Sequence, residues 1–150
     1  MAIKLYALEF DPWQEIAMYL QKTPDLKGKY GATSVFVGTM RDFNQGDAVQ
    51  SLFLEHYPDM TEKQLQHIVV QAEQQWSLLD HLLIHRVGMV VPNDTLVLVA
   101  TWSAHRGDAF DATRFIMEAL KSQAPFWKKE TLASGDARWV EKNSEGYLLK

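Results

Sequence analysis

Two strongly apolar segments near the middle of the chain are separated by too few residues to accommodate a helix. Residues 82–89 and 95–102 have the composition of strands. Between them lies a short stretch that contains the turn residues Pro92, Asn93 and Asp94. Parallel neighbours need a crossover of a dozen or more residues, whereas antiparallel neighbours need only a short turn. At least part of the sheet is therefore predicted to be antiparallel, with the second segment as a central strand.

Three segments have the periodicity of amphipathic helices. The first follows Asp11 and Pro12, which supply an N-cap and a proline at the first helical position. Before the second, Thr61 and Gln64 form a capping-box pattern. The third is predicted to end at Pro125, because proline cannot continue a helix. The apolar faces consist of Trp13, Ile16, Ala17 and Leu20; of Leu65, Ile68, Val69, Ala72 and Trp76; and of Ala112, Phe115, Ile116, Ala119 and Leu120.

Further strands are predicted before, between and after these helices. They cover residues 3–10, 33–41 and 49–57, with two short strand-like stretches at 126–129 and 138–140. Gly38 marks a bulge or a close backbone approach in the second strand, and residues 42–47 are predicted to form a polar loop. The pattern predicts an α+β fold with a mixed, largely antiparallel sheet and about three main helices, in a single domain over residues 1–150.

Composition excludes several classes of function. The absence of cysteine rules out a thiol nucleophile, a cysteine-based metal site and a disulfide framework, and it is compatible with a reducing compartment. The chain has 15 Lys and Arg against 19 Asp and Glu, a net charge of −4, with no basic run, which argues against general nucleic-acid binding. No cleavage pattern or membrane-length apolar run is present, so we expect a soluble, cytoplasmic protein.

His105 and Arg106 stand where the apolar strand at 95–102 meets the third helix. The first N–H groups of a helix lack partners within the helix, so two cationic or proton-donating side chains there predict an anion site suited to phosphate. The alternative is structural: Arg106 pairs with Asp108 or Asp111 at the surface, and His105 is an ordinary turn residue.

Lys121 and Lys128 flank the end of the third helix. Each has an ordinary explanation: Lys121 complements the helix dipole, and Lys128 with Lys129 belongs to a solvated edge strand. Together, beside aromatic residues, they suggest a partly desolvated cationic pair. Desolvation and like charge both lower a lysine pKa, which makes the amine usable as a base or nucleophile.

Arg41 ends the second strand and precedes a loop, the kind of position from which an arginine clamps a phosphate. Its structural alternative is pairing with Asp42 or Asp47. His81 and His85 have a spacing that would form a metal edge on a helix, but the surrounding residues favour a strand. In a strand such positions lie about 13 Å apart, so no metal site is predicted.

Several stretches, in order along residues 30–141, resemble the family of large, catalytic subunits of molybdopterin synthase. They are Phe36-Val37-Gly38-Thr39-Met40-Arg41, Leu54-Glu55-His56-Tyr57-Pro58-Asp59-Met60-Thr61, Ile84-His85-Arg86-Val87-Gly88, Ser103-Ala104-His105-Arg106, and Phe115-Ile116-Met117 through Lys121 to Ala124-Pro125-Phe126-Trp127-Lys128-Lys129-Glu130. Each stretch is unspecific by itself. The ordered set is specific.

The resemblance implies an α/β-hammerhead type of fold and a homodimer within a heterotetramer, with a small ubiquitin-like subunit at each end. The C-terminal Gly-Gly thiocarboxylate of that sulfur carrier would enter the pocket of this chain. The implied activity is that of a sulfurtransferase in molybdenum cofactor biosynthesis. It would convert cyclic pyranopterin monophosphate, a pterin phosphate, into the dithiolene of molybdopterin, with no cofactor and no metal on this subunit.

By the same resemblance, Lys121 and Lys128 are the catalytic residues. The substrate-binding residues are Arg41, His105, Arg106, Phe36 and Met117. The chain departs from the family at Gly107, where a longer side chain is common, and after Trp139, where an arginine is common and Arg138 or Lys142 is the possible substitute.

Two other functions remain open at this stage. The chain could be a non-catalytic scaffold that binds a ubiquitin-like C-terminal tail, or an unrelated phosphoester hydrolase that uses His105.

Overall fold

The computed structural model describes residues 1–124 and 126–140, in which three α-helices and nine strands are formed. The helices are α1 (Pro12–Lys22), α2 (Pro58–Gln75) and α3 (Arg106–Gln123), and a 3-10 turn covers Pro24–Leu26. The strands are β1 (Ala2–Tyr6), β2 (Ala32–Thr39), β3 (Phe43–Asn44), β4 (Asp47–His56), β5 (Leu78–Arg86), β6 (Gly88–Val90), β7 (Thr95–Ser103), β8 (Phe126–Leu132) and β9 (Ala137–Trp139).

The first sheet is covered by helices on both faces. Its strand order is β1, β5, β7, β2, and only β1 and β5 are parallel. Helix α1 packs against one face, where Tyr19 stacks on the buried ring of Trp102 at 5.4 Å. Helices α2 and α3 cover the other face, which presents Leu83 and Val99. The predicted central strand is confirmed, because β7 pairs on both edges and is buried from residue 97 to residue 103.

The second sheet is antiparallel throughout. Its strand order is β3, β4, β8, β9, and β6 also pairs with β4. The side chains of Leu52, Leu54 and Val90 are buried on its inner face. The α+β fold with three main helices and largely antiparallel, mixed pairing is therefore confirmed.

The strand predicted over residues 82–89 is wrong in one respect: the chain forms two strands there that belong to different sheets. β5 pairs with β1 and β7, whereas β6 pairs with β4. Gly88 has φ of +81°, a left-handed conformation that redirects the chain between them. The buried Arg86 side chain donates from Nη2 to the Met89 carbonyl oxygen at 2.8 Å, which holds this corner closed.

Two local predictions are corrected. Helix α2 begins at Pro58 rather than after a Thr61 cap, because proline has the φ angle of a first helical residue and no N–H to leave unpaired. Thr61 is fully buried inside the helix. The loop at 42–47 contains β3, which pairs with β4 around a two-residue turn of Gln45 and Gly46, both at positive φ.

The other predicted ends of helices and strands agree more closely with the structure. Asp11 caps α1, its Oδ1 accepting from the Trp13 N–H at 2.9 Å, as predicted. β1 ends at Tyr6, earlier than predicted. The prediction at Pro125 lies outside the described residues, and a single domain over 1–150 stays a prediction. None of the helices in the described ranges is long and apolar enough to cross a membrane.

Replacing Gly31 with alanine is expected to destabilise the fold by about 1–3 kcal/mol, because a Cβ there would overlap the Ala104 carbonyl oxygen, a backbone atom that cannot rotate away. Urea unfolding measures the change. Gly107→Ala is the control, since its Cβ would meet nothing within 4 Å and alanine favours a helix. Equal stability of the two variants would contradict the close approach at Gly31.

Candidate active site

A cleft of about 330 Å³ opens where the two sheets meet the C-terminal end of α3. Four of the residues predicted for the site line it together: Phe36, Met117, Lys121 and Lys128. Strands β2, β5 and β7 supply the wall on one side, and β4 and β8 supply the other. Largely apolar walls with a few convergent polar groups are typical of small-molecule sites.

Helix α3 brings Lys121 to the cleft because the helix runs back along β7. Thr101 of β7 donates from its hydroxyl to the Ala109 carbonyl oxygen at 3.1 Å, and the apolar face of the helix is buried against the sheet. The last turn of α3 therefore lies near the Thr95 end of β7. Met117 precedes Lys121 by about one turn, so both side chains reach the same opening.

The alternation of β8 turns Lys128 inward. Phe126, Lys128 and Glu130 are buried or half-buried, whereas Trp127 and Lys129 are exposed. This is the period of two expected of a strand. The strand pairs with β4 on one edge and β9 on the other, so the alternative of a solvated edge strand is wrong.

Lys121 is close enough to Lys128 to change the ionisation of Lys128. Burial, followed by the charge of Lys121 and its hydrogen bond to Lys128, lowers the pKa of Lys128 to about 7, and the charge of Glu130 acts in the opposite direction. A large fraction of Lys128 is consequently neutral at physiological pH. The amine can accept a proton without first losing one to solvent.

Phe36 and Gly38 of β2 also line the cleft. β2 has a register shift between Gly38 and Thr39, and a Cβ on Gly38 would lie 2.7 Å from Cγ1 of Val97. The predicted bulge and the predicted close approach are both confirmed. Glycine at this position lets β2 lie tightly on β7 while the Phe36 ring, 41 % exposed, borders the cleft.

Arg41 does not line the cleft, but it lies at the same end of the first sheet as the cleft. It follows β2 by two residues, and the Met40 N–H that precedes it donates to the Asp94 carbonyl oxygen at 2.9 Å. Its guanidinium carbon lies 5.0 Å from the centre of the Phe43 ring. Within the described ranges Arg41 forms no ion pair with Asp42 or Asp47.

His105 and Arg106 are exposed at the opposite end of the first sheet from the cleft. Arg106 is the first residue of the 18-residue α3 and Lys121 is in its last turn, so about 22 Å of helix separates them. His105 is the N-cap residue, with no side-chain bond to the helix. Among the described residues Arg106 pairs with neither Asp108 nor Asp111. One chain does not bring these two residues to the lysines.

Arg138 is occupied by structural contacts. Its guanidinium donates to Glu130 and Asp47, each at 2.9 Å, and to the Asn44 carbonyl oxygen at 3.1 Å. These bonds connect β9 with β8, β4 and β3. Arg138, one of the two possible substitutes for the arginine that is common in the family, is therefore held by these contacts. The other, Lys142, lies outside the described residues.

His85 lines the cleft and was not among the predicted site residues. Its ring stacks on Phe126 with centroids 3.9 Å apart. Burial lowers the pKa of His85 to about 4, and the charges of Lys128, Lys121 and His56 lower it as well. The residue belongs to a stretch that carries the family resemblance, but only the tertiary structure shows which side chains of that stretch face the cleft.

The strand interpretation of His81 and His85 is confirmed, since both belong to β5. Nδ1 of His81 lies 3.1 Å from Oε1 of Glu73, so this ring nitrogen faces a carboxylate and not a metal position shared with His85. In the part of the chain that the structure describes, no three His, Asp or Glu residues are grouped as metal ligands would be. The cleft offers amines and one imidazole, a set suited to binding anions and moving protons.

Replacing Lys121 with methionine is expected to raise the pKa of Lys128 from about 7 towards its ordinary value, because the neighbouring positive charge is removed. The pH dependence of acetylation at Lys128, followed by mass spectrometry, measures this. Exposed Lys129 in the same molecule is the internal control and should be labelled equally in both proteins. An unchanged profile at Lys128 would show that the two amines do not interact.

Comparison with known proteins identifies the family. A family model described as MoaE protein matches residues 9–123. A molybdopterin synthase catalytic subunit from Ralstonia nicotianae is 52% identical over 93% of this chain and 76% of its own. A molybdopterin biosynthesis MoaE protein from Burkholderia ambifaria has a TM-score of 0.77 at 43% identity, over 97% of this chain and 94% of that one.

A more distant structure shares the fold alone. It is a protein–protein complex of subunits 1 and 2 of molybdopterin-converting factor from Helicobacter pylori, 19% identical, with a TM-score of 0.76 over 95% of this chain and 92% of that one. The family match over most of the chain, the high identity and the shared fold agree with the sequence motifs. The chain belongs to the MoaE family, whose members include the catalytic subunits of molybdopterin synthase.

Proposed function

We propose that this chain is a sulfurtransferase. In two successive transfers it takes sulfur from the C-terminal thiocarboxylate of a small ubiquitin-like subunit and adds it to cyclic pyranopterin monophosphate, forming the dithiolene of molybdopterin. The observation that carries the proposal is the convergence of Lys121 and Lys128 in one cleft, with the pKa of Lys128 lowered to about 7. Membership of the MoaE family supports it.

The cleft suits this chemistry because both reactants are anions. Two transfers are needed, because a dithiolene contains two sulfurs. In each one a thiocarboxylate sulfur attacks a carbon of the pterin side chain and a carbon–sulfur bond forms. In one transfer the carbon–oxygen bond to the cyclic phosphate breaks and the ring opens, and in the other the carbon loses its oxygen as water. After each transfer water adds to the acyl carbon, the acyl–sulfur bond breaks, and the tail leaves as a carboxylate. Lys128 moves protons near neutral pH, and the charge of Lys121 stabilises the developing oxyanion. Phe36 and Met117 supply the apolar walls.

The sulfur has to arrive on a partner, since the chain contains no cysteine. The Helicobacter pylori complex of subunits 1 and 2 supports a small-subunit partner for a chain of this fold. A thin, extended Gly-Gly tail fits a narrow cleft better than a folded domain would. The scheme needs no cofactor and no metal, and the cytoplasmic location stays a prediction.

A second protomer is needed if His105 and Arg106 act at the same site as the lysines. The two groups lie at opposite ends of α3, about 22 Å apart along the helix. In a homodimer, the α3 N-terminus of one protomer can approach the cleft of the other. We therefore propose that His105 and Arg106 bind the phosphate across the dimer, while Arg41 binds it from the rim of the same chain's cleft.

Lys121→Ala and Lys128→Ala should each reduce product formation by about 100-fold or more, because each removes a charge or proton carrier from the reacting atoms. The assay contains the purified chain, a thiocarboxylated small subunit and cyclic pyranopterin monophosphate. Lys129→Ala is the matched control on the same strand and should retain activity. Full turnover in the lysine variants would show that these lysines are not catalytic. Binding of the small subunit without product formation by the wild-type chain would favour a non-catalytic scaffold.

Mixing two inactive proteins tests the shared site. A variant carrying His105→Ala and Arg106→Ala, mixed with one carrying Lys121→Ala and Lys128→Ala, should regain part of the wild-type activity after subunit exchange, because each mixed dimer holds one intact site. Each variant incubated alone is the control. If no activity returned although native mass spectrometry detected mixed dimers, His105 and Arg106 would not act across the dimer at the site of the lysines.

A further inference from the structure

His85 is a titratable group in the cleft to which the proposed reaction assigns no role. Its Nδ1 lies 2.7 Å from the Arg86 carbonyl oxygen. A carbonyl oxygen only accepts hydrogen bonds, so Nδ1 must carry the proton. The neutral ring then has its unprotonated nitrogen at Nε2, where a lone pair is available to a donor in the cleft.

The orientation of this ring is held from two sides. The His85 ring lies nearly parallel to that of Phe126, with an angle of 12° between their planes. The Arg86 carbonyl that accepts from Nδ1 belongs to a buried residue, whose side chain is bound to the Met89 carbonyl and lies 3.5 Å from Asp94. A ring fixed in this way presents one defined acceptor instead of rotating between two.

Burial keeps His85 neutral, against the effect of its hydrogen bond to the Arg86 carbonyl oxygen, and the charges around the ring add to the effect of burial. Lys128 on β8, Lys121 on α3 and His56 on β4 all act, after burial, to lower the pKa of His85 to about 4. The ring is therefore uncharged near neutral pH. It adds no third cation beside the lysines, and Nε2 remains an acceptor.

We propose that His85 is a positioning residue for Lys128, in which the Nε2 lone pair accepts a hydrogen bond from the lysine amine and aims that amine at the reacting atoms. This proposal rests on the proposed sulfur transfer. An acceptor of this kind favours the protonated amine, so it raises the pKa of Lys128, whereas burial and the charge of Lys121 lower that pKa. It also limits the orientations of a side chain that otherwise has four rotatable bonds.

The expected kinetic signature separates positioning from structural support. His85→Phe keeps a ring for stacking on Phe126 and removes the acceptor. Product formation at saturating substrate should fall by about tenfold to hundredfold with little change in KM. The pH at which the rate reaches half of its maximum should move below the wild-type value, because the protonated form of Lys128 loses its acceptor.

Two amide variants form a matched pair. A glutamine amide reaches the position of Nε2, whereas an asparagine amide reaches only that of Nδ1. His85→Gln should restore most of the rate and the wild-type pH profile, and His85→Asn should not. Equal activity of the two, or a reduced rate in His85→Phe with an unshifted profile, would show that His85 has only a structural role.

A measurement on the unsubstituted protein covers the case in which these variants do not fold. Nitrogen NMR of protein labelled at histidine should show His85 with Nδ1 protonated and Nε2 unprotonated from pH 5 to pH 9, as a ring with a pKa of about 4 requires. The Nε2 signal should shift in Lys128→Met and not in Lys129→Met. The opposite tautomer, or an Nε2 signal indifferent to Lys128, would overturn the proposal.

This measurement needs neither substrate nor partner. If the wild-type chain made no dithiolene product while the NMR result held, the proposed sulfur transfer would fail and the contact between His85 and Lys128 would stand. If product formed normally and the NMR result failed, only the positioning role would be lost.

Discussion

The packing of α3 against β7 determines where the candidate catalytic groups lie. β7 is paired on both edges, so the chain that leaves it at Ser103 cannot add another strand beside it, and it returns over one face of the sheet as α3. The apolar face of α3 fixes that return path. Lys121 is thereby delivered to the cleft between the sheets, and Arg106 is left at the far end of the same helix.

Local signals in the sequence predict the elements that have strong periodicity or chemically unambiguous ends. The cap at Asp11, the apolar face of α3 and the central position of β7 were all predictable, because each depends on neighbours in sequence. The division between β5 and β6 was not predictable, because Gly88 looks like any other glycine until the pairing partners of β5 and of β6 are known. Strand assignment to a particular sheet is a tertiary property.

The sequence predicted the chemical character of the candidate site better than the positions of its residues. Lysines beside aromatic residues indicated a desolvated cationic pair, and the structure brings Lys121 and Lys128 into one cleft. The length of the predicted third helix would have been enough to show that Arg106 and Lys121 lie far apart, because a helix rises about 1.5 Å per residue. His85 was not predicted as a site residue because a strand has two faces, and the sequence does not say which of them meets the cleft between the two sheets.

The electrostatics of the cleft couple anion binding to proton uptake. Burial and the neighbouring charge of Lys121 both disfavour a charged amine at Lys128 and lower the pKa of Lys128 to about 7. An anion entering the cleft favours the charged amine and so raises that pKa again. By linkage, binding of the anion takes up a proton at neutral pH. A chain with a net charge of −4 and no cysteine thus supplies a proton carrier for the proposed sulfur transfer, in which the sulfur arrives on a partner.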